Sequence, residues 1–198
     1  MCQFIETIRI EKREVCNLPY HQARMDRTLR HFFPHTHIPT LRDCLTDLPQ
    51  DDGLYKARVV YGEGGIVEMG CTPYQMRSIG SMKLITCDTI DYTFKSTDRS
   101  ALTALTTQKG TADEIIIVKQ GFLTDTSYSN IALYDGHRWY TPRKPLLPGT
   151  MRQSLLDQGQ LTERDLTPAD LSQFQTLSLI NAMMPLGRCE VEVKNIDR

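Results

Sequence analysis

Residues 114–118, EIIIV, leave this chain little freedom. They form a continuous, β-branched apolar run, too short for a helix and suited to a buried strand. On either side the pattern alternates between the two periods of regular structure. Residues 4–10 mix apolar and charged side chains in short alternation, and residues 14–17 can return as a second strand. Asn17 is placed to cap a helix over residues 19–33, with Pro19 near its first turn and Pro34 ending it. The spacing of His21, Arg24, Arg27 and His31 predicts the polar face of that helix. A short helix over 39–45, the turn PQDDG and a strand over 54–61 follow.

GEGG at residues 62–65 reads as a hairpin turn into a strand at 66–69, because it lacks the lysine, hydroxyl and helix of a phosphate loop. Further on, strands are expected at 82–87, 130–134, 138–140, 176–180 and 189–193, the second and third joined by Asp135-Gly136. Helices are expected at 99–108, closed by Gly110, and at 149–158. The order is α+β throughout. A length of 198 residues fits one large domain or two small ones. A shift in composition near residues 78–81 divides it into a small N-terminal α/β domain, 1–80, and a larger one, 81–198.

Charge excludes some classes of partner. Lys+Arg 23 against Asp+Glu 24 gives a net charge of -1 with no basic block, which disfavours nucleic acid and anionic membranes. No stretch approaches the run of about 20 apolar residues that spans a bilayer. Glu6 and Arg9 interrupt the N-terminus where a signal peptide would be apolar, so a cytoplasmic location is expected. Six scattered cysteines without a C-x-x-C pair predict reduced, mostly buried thiols. His31, His35 and His37 have no carboxylate or cysteine at ligand spacing and read as a solvated turn, so no metal is expected. Ser127 and Ser129 lack the context of a hydrolase elbow. The pairs Asp51-Asp52 and Asp88/Asp91 suit caps and surface charge.

Four ordered motifs carry more. They are D-Y-T-F-K-S-T-D-R around Lys95, L-T-D-T-S-Y-S-N-I-A at 123–132, P-L-L-P-G-T-M-R at 145–152, and I-N-A-M-M-P at 180–185. In this order and spacing they resemble the class IV pyridoxal-phosphate enzymes, which include branched-chain and D-amino-acid aminotransferases and aminodeoxychorismate lyase. The H-x-x-R of His21 and Arg24 is similar to an N-terminal element of the same family. The resemblance spans almost the whole chain and implies a shortened, two-domain D-amino-acid aminotransferase-like fold, pyridoxal 5'-phosphate as cofactor, and a homodimer.

By the same resemblance, Lys95 forms the Schiff base with the cofactor aldehyde and moves protons at the substrate. A lysine suits this when burial and nearby positive charge lower its pKa. Asp125 falls where most members carry a glutamate against the pyridine nitrogen, and a carboxylate there keeps that nitrogen protonated. Arg24 is assigned to the cofactor phosphate, which a guanidinium fork matches. The backbone N–H groups of Thr150 and Met151 open a helix and can hold phosphate oxygens.

K-S-T-D-R, I-N-A-M-M-P and the opening F-I-E-T-I-R-I are closer to the lyases than to the transaminases. The reaction implied is conversion of 4-amino-4-deoxychorismate to 4-aminobenzoate and pyruvate, a step toward folate. Arg99, Asn181 and Arg9 are then candidates for holding the substrate's carboxylates. A class IV aminotransferase of branched-chain or D-amino acids is the alternative. A degenerate, non-catalytic member is a second, motivated by Asp125 and by shortening in the N-terminal domain and between Arg152 and Asn181.

Overall fold

The computed structural model describes residues 2–46 and 48–197. Contacts divide the chain into two compact units, Met1–Met76 with Phe94–Asp98, and Arg77–Thr93 with Arg99–Arg198. The short segment carrying Lys95 therefore belongs to the first unit.

The first unit contains β1 (Phe4–Glu11), β2 (Glu14–Val15), α1 (Leu18–Phe32), α2 (Leu41–Cys44), β3 (Leu54–Gly62) and β4 (Gly65–Pro73). The strands form an antiparallel sheet in the order β2-β1-β3-β4. Alternation along β1 sends Phe4, Glu6, Ile8 and Ile10 to one face. There the apolar three join Met25 and Leu29 of α1 and Ala57, Val59 and Tyr61 of β3 in one core. Each fully buried aliphatic side chain contributes on the order of 1.5–3 kcal/mol.

The buried stripe of α1 is His21, Arg24, Met25, Thr28 and Leu29, a spacing of 3, 4, 7 and 8 from the first residue. The expected polar face is therefore corrected: Arg27 and His31 are exposed, but His21 and Arg24 turn inward. They can do so because β1 places a carboxylate, Glu6, beneath them. Asn17 sits at the N-cap, yet caps nothing with its side chain; it takes a left-handed backbone, φ 54°, that asparagine tolerates.

The second unit contains β5 (Met82–Thr86), α3 (Ser100–Thr106), β6 (Glu114–Lys119), β7 (Phe122–Leu123), β8 (Asn130–Tyr134), β9 (Trp139–Pro142), α4 (Thr150–Asp157), β10 (Thr162–Arg164), β11 (Thr176–Ile180), β12 (Glu190–Glu192) and β13 (Ile196–Asp197). They form two sheets, ordered β13-β5-β6-β7 and β10-β9-β8-β11-β12. The apolar run of β6 is buried from Glu114 to Val118, as its composition predicts. It pairs in parallel with β5 and turns back into β7 through Gln120 and Gly121, both at positive φ. Strands β7, β10 and β13 have two or three residues each, too few for any periodic signal. They exist because a neighbouring strand offers them a partner.

Among the described residues no helix is long and apolar enough to cross a membrane. All six cysteines are thiols, but only Cys189 is buried, so the expectation of mostly buried thiols is corrected. The half-buried ones lie on strand and helix margins where side chains are covered on one side only.

Candidate functional site

In the first unit the central feature is a buried charge cluster. Glu6 is fully buried, and its two carboxylate oxygens accept hydrogen bonds from Arg24 Nε at 2.8 Å and Arg24 Nη2 at 2.5 Å. His21 Nδ1 lies 2.6 Å from Glu6 Oε2. Burial by itself would raise the Glu6 pKa, but the Arg24 charge and the hydrogen bonds from His21 and Arg24 bring it down to about 2. Glu6 is therefore ionised, and His21 must donate from Nδ1. Burial, with the charges of Arg24 and Lys95, lowers the His21 pKa, against the opposing pull of Glu6. The cluster is thus one carboxylate, one guanidinium and one neutral imidazole.

Lys95 is near enough for its charge to act on His21. It is half-buried and does not directly follow a strand; β5 ends at Thr86. Instead its carbonyl accepts a hydrogen bond from the Ile5 N–H at 2.9 Å, and Thr97 N–H donates to the Gln3 carbonyl at 2.9 Å. Its neighbour Phe94 packs edge-on against Phe32 at 4.8 Å and stacks on His31 at 4.7 Å. An aromatic anchor and two backbone bonds to the start of β1 thus fix the lysine's position. Arg9 points to the other face of β1, where Glu11 accepts its Nη2 at 2.8 Å. The structure does not bring it to the face that carries Arg24.

In the second unit Asp125 is the centre. It is 4% exposed. Oδ2 accepts the Leu147 N–H at 2.8 Å, and Oδ1 accepts Asn130 Nδ2 at 2.8 Å. Burial pushes its pKa up to about 6, although those hydrogen bonds and the charge on Arg152 favour the ionised form. Leu147 immediately precedes Pro148-Gly149, and Gly149 is the N-cap of α4, whose first residues Thr150 and Met151 are both buried.

Between Asp125 and Asn130 lies a tight loop, closed by a β-bridge between those two residues and by the Thr126 N–H donating to the Ser129 carbonyl at 2.8 Å. Arg99 Nη2 donates to the Ser127 carbonyl at 2.8 Å. Asn181 Nδ2 donates to Ser129 Oγ at 2.8 Å, while its Oδ1 accepts the Met183 N–H at 2.8 Å. Three residues far apart in sequence, Arg99, Asp125 and Asn181, therefore meet at one loop. Arg99 also lines a cleft of about 420 Å³ with Arg77, Thr103, Lys109, Ser127 and Tyr128. The carboxylates in its wall are held by the protein itself. Asp113 accepts from the amides of Gly80 and Ser81, and Glu114 from Ser127 and Ile115.

The residues present fit pyridoxal phosphate by their donor chemistry. A buried carboxylate suits a ring nitrogen, a helix N-terminus and an oriented arginine suit a phosphate, and a half-buried lysine suits an aldehyde. One expectation changes in detail. The side-on edge of Arg24, Nε with Nη2, is spent on Glu6, so a phosphate would meet its end-on edge. Reasoning from sequence assigned no role to Glu6 or Asn130. The signal for Glu6 was a lone carboxylate on the apolar face of a strand, and for Asn130 an amide opening an apolar one.

The sequence pattern of the Amino-transferase class IV family matches residues 3–190. An uncharacterized protein of Haemophilus influenzae is 34% identical over 186 residues, 92% of this chain and 98% of its own length. A crystal structure from Haemophilus somnus, provisionally named a 4-amino-4-deoxychorismate lyase, is 37% identical with a TM-score of 0.88. That alignment covers 94% of this chain and 98% of the other. The PLP-bound form of a hypothetical aminotransferase from Mycobacterium tuberculosis shares the fold at a TM-score of 0.73 and 17% identity, covering 98% of this chain and 81% of its own.

Proposed function

Because the chain belongs to the Amino-transferase class IV family, whose members depend on pyridoxal phosphate, we propose that it is a 4-amino-4-deoxychorismate lyase releasing 4-aminobenzoate and pyruvate. The observation that carries this reading is the meeting of Arg99, Asp125 and Asn181 at one loop, beside a cleft whose wall carries Arg77, Arg99 and Lys109 and whose carboxylates, Asp113 and Glu114, accept hydrogen bonds from the protein itself. A substrate with two carboxylates suits such a cleft better than a branched-chain amino acid does. The name given to the Haemophilus somnus relative points the same way.

When bound, pyridoxal phosphate supplies an electron sink for charge released at the substrate. The rest falls to this chain's residues. Lys95 Nζ takes up a proton from the substrate ring and delivers it as the enolpyruvyl group departs. Asp125 holds a proton at the ring nitrogen, which requires the carboxylate to be ionised; a positive partner there favours that form. Arg24 and the N–H groups of Thr150 and Met151 bind phosphate. Arg99 and Asn181 bind substrate carboxylates, and the working form is a homodimer.

The test is an absorption spectrum of the purified protein with added pyridoxal phosphate, beside Lys95→Ala. A visible band present in the wild type and lost in the variant supports the cofactor reading. Pyruvate release from 4-amino-4-deoxychorismate without any keto acid then supports the lyase; turnover only with a keto acid makes the protein a transaminase. No band in either protein overturns the enzyme reading.

A further inference from the structure

Asn130 does two things at once. Its Nδ2 donates to Asp125 Oδ1 at 2.8 Å and to the Leu147 carbonyl at 2.9 Å. Leu147 in turn gives its N–H to Asp125 Oδ2 at 2.8 Å, so carboxylate, amide side chain and backbone close a ring of hydrogen bonds. The other end of the same amide lies under the helix start. A Cβ built on Gly149 would overlap Asn130 Oδ1 and come within 3.1 Å of its Cγ. The Gly149 backbone, φ −73° and ψ 144°, is one that any residue adopts. Glycine is therefore required there by Asn130 and not by the turn.

We infer that Asn130 is a positioning residue that locks the Asp125 carboxylate to the N-terminus of α4, fixing the distance between the group that meets the cofactor's ring nitrogen and the amides that meet its phosphate. The inference rests on the cofactor reading above and adds to it a residue that acts through Asp125 and the start of α4. A ligand held at both ends binds more tightly than the sum of loosely placed contacts allows, because the second contact is made at no further orientational cost. Asn130 is 5% exposed, and its hydrogen bonds inside the protein are short, so its rotamer is fixed.

The experiment is calorimetric titration of wild type, Asn130→Ala and Asn130→Asp with two probes. Pyridoxine 5'-phosphate has ring nitrogen and phosphate but no aldehyde, so its binding does not need Lys95; inorganic phosphate tests the helix end alone. Asn130→Asp keeps the shape under Gly149 but replaces the donor with an acceptor facing Asp125. Both variants are expected to bind pyridoxine 5'-phosphate at least tenfold more weakly and inorganic phosphate less than threefold more weakly. A general loosening of the fold would weaken both probes alike, and that result would overturn the inference.

A pH series adds a second readout. Asn130, the amides of Leu147 and Leu146, and the charge on Arg152 all favour ionised Asp125. The pH at which pyridoxine 5'-phosphate affinity rises is expected to move upward in both variants relative to wild type. Wild-type affinity and pH profile in both variants would overturn the inference while leaving the cofactor reading intact. No binding of pyridoxine 5'-phosphate by the wild type would overturn both.

Discussion

Replacing Glu6 by glutamine tests the charge cluster of the first unit. The carboxyl is fully buried and is held at about 2, against an ordinary value of 4.5. That difference corresponds to about 3 kcal/mol. The sign follows from the direction of the shift. A lowered carboxyl pKa contributes stability that is fully present above about 4.5 and is lost as pH falls through about 2. The lowered pKa of His21 acts in the same direction, beginning below its ordinary value of 6.5, because protonating a buried imidazole favours unfolding.

Glu6→Gln leaves Arg24 buried without its counter-charge. Removing one partner of a buried ion pair costs on the order of 3–5 kcal/mol. Urea unfolding followed by circular dichroism, repeated from pH 7 down to pH 2, measures both effects. The variant is expected to be less stable by that amount at pH 7 and to lose the steep loss of stability between about pH 4.5 and 2. Destabilisation under about 1 kcal/mol at pH 7, or an unchanged acid limb, would refute the argument. Either would mean that Glu6 is not the ionised centre of the cluster.

Three other outcomes follow from the second unit. Gly149→Ala is expected to cost about 1–3 kcal/mol by overpacking against Asn130, and much less when Asn130 is already alanine; additive losses within about 0.5 kcal/mol in a urea double-mutant cycle would show that the two do not touch. The raised pKa of Asp125, about 6 against 3.8, stabilises the cofactor-free protein below 3.8 and loses about 3 kcal/mol as pH rises through 6. The fluorescence of Trp139, the single tryptophan, reports that unfolding, and Asp125→Asn should flatten the slope. Arg99→Gln should raise KM for the dicarboxylate substrate about tenfold or more with little change in pyridoxine 5'-phosphate affinity; steady-state kinetics beside calorimetry separates the two.

Much of this protein is written locally. The β-branched run before Lys119, the glycine after α3, the Asp135-Gly136 turn and the Pro-Gly start of α4 are decided by side chains acting on their own backbone, so the sequence announces them. The ordered motifs around Lys95, Asp125, Thr150 and Asn181 likewise announce the family. What only the tertiary structure decided is which of these residues meet, and on whose terms. No periodicity reveals that His21 and Arg24 turn inward, because that depends on a carboxylate from a strand 15 and 18 residues away. Nor can it show that one asparagine joins Asp125 to the start of a helix, since the bond to Leu147 crosses 17 residues. Apolar patterning chooses strand or helix because burial scales with area and has no direction. Buried polar groups demand particular partners at particular distances, and those partners are supplied only when distant segments pack.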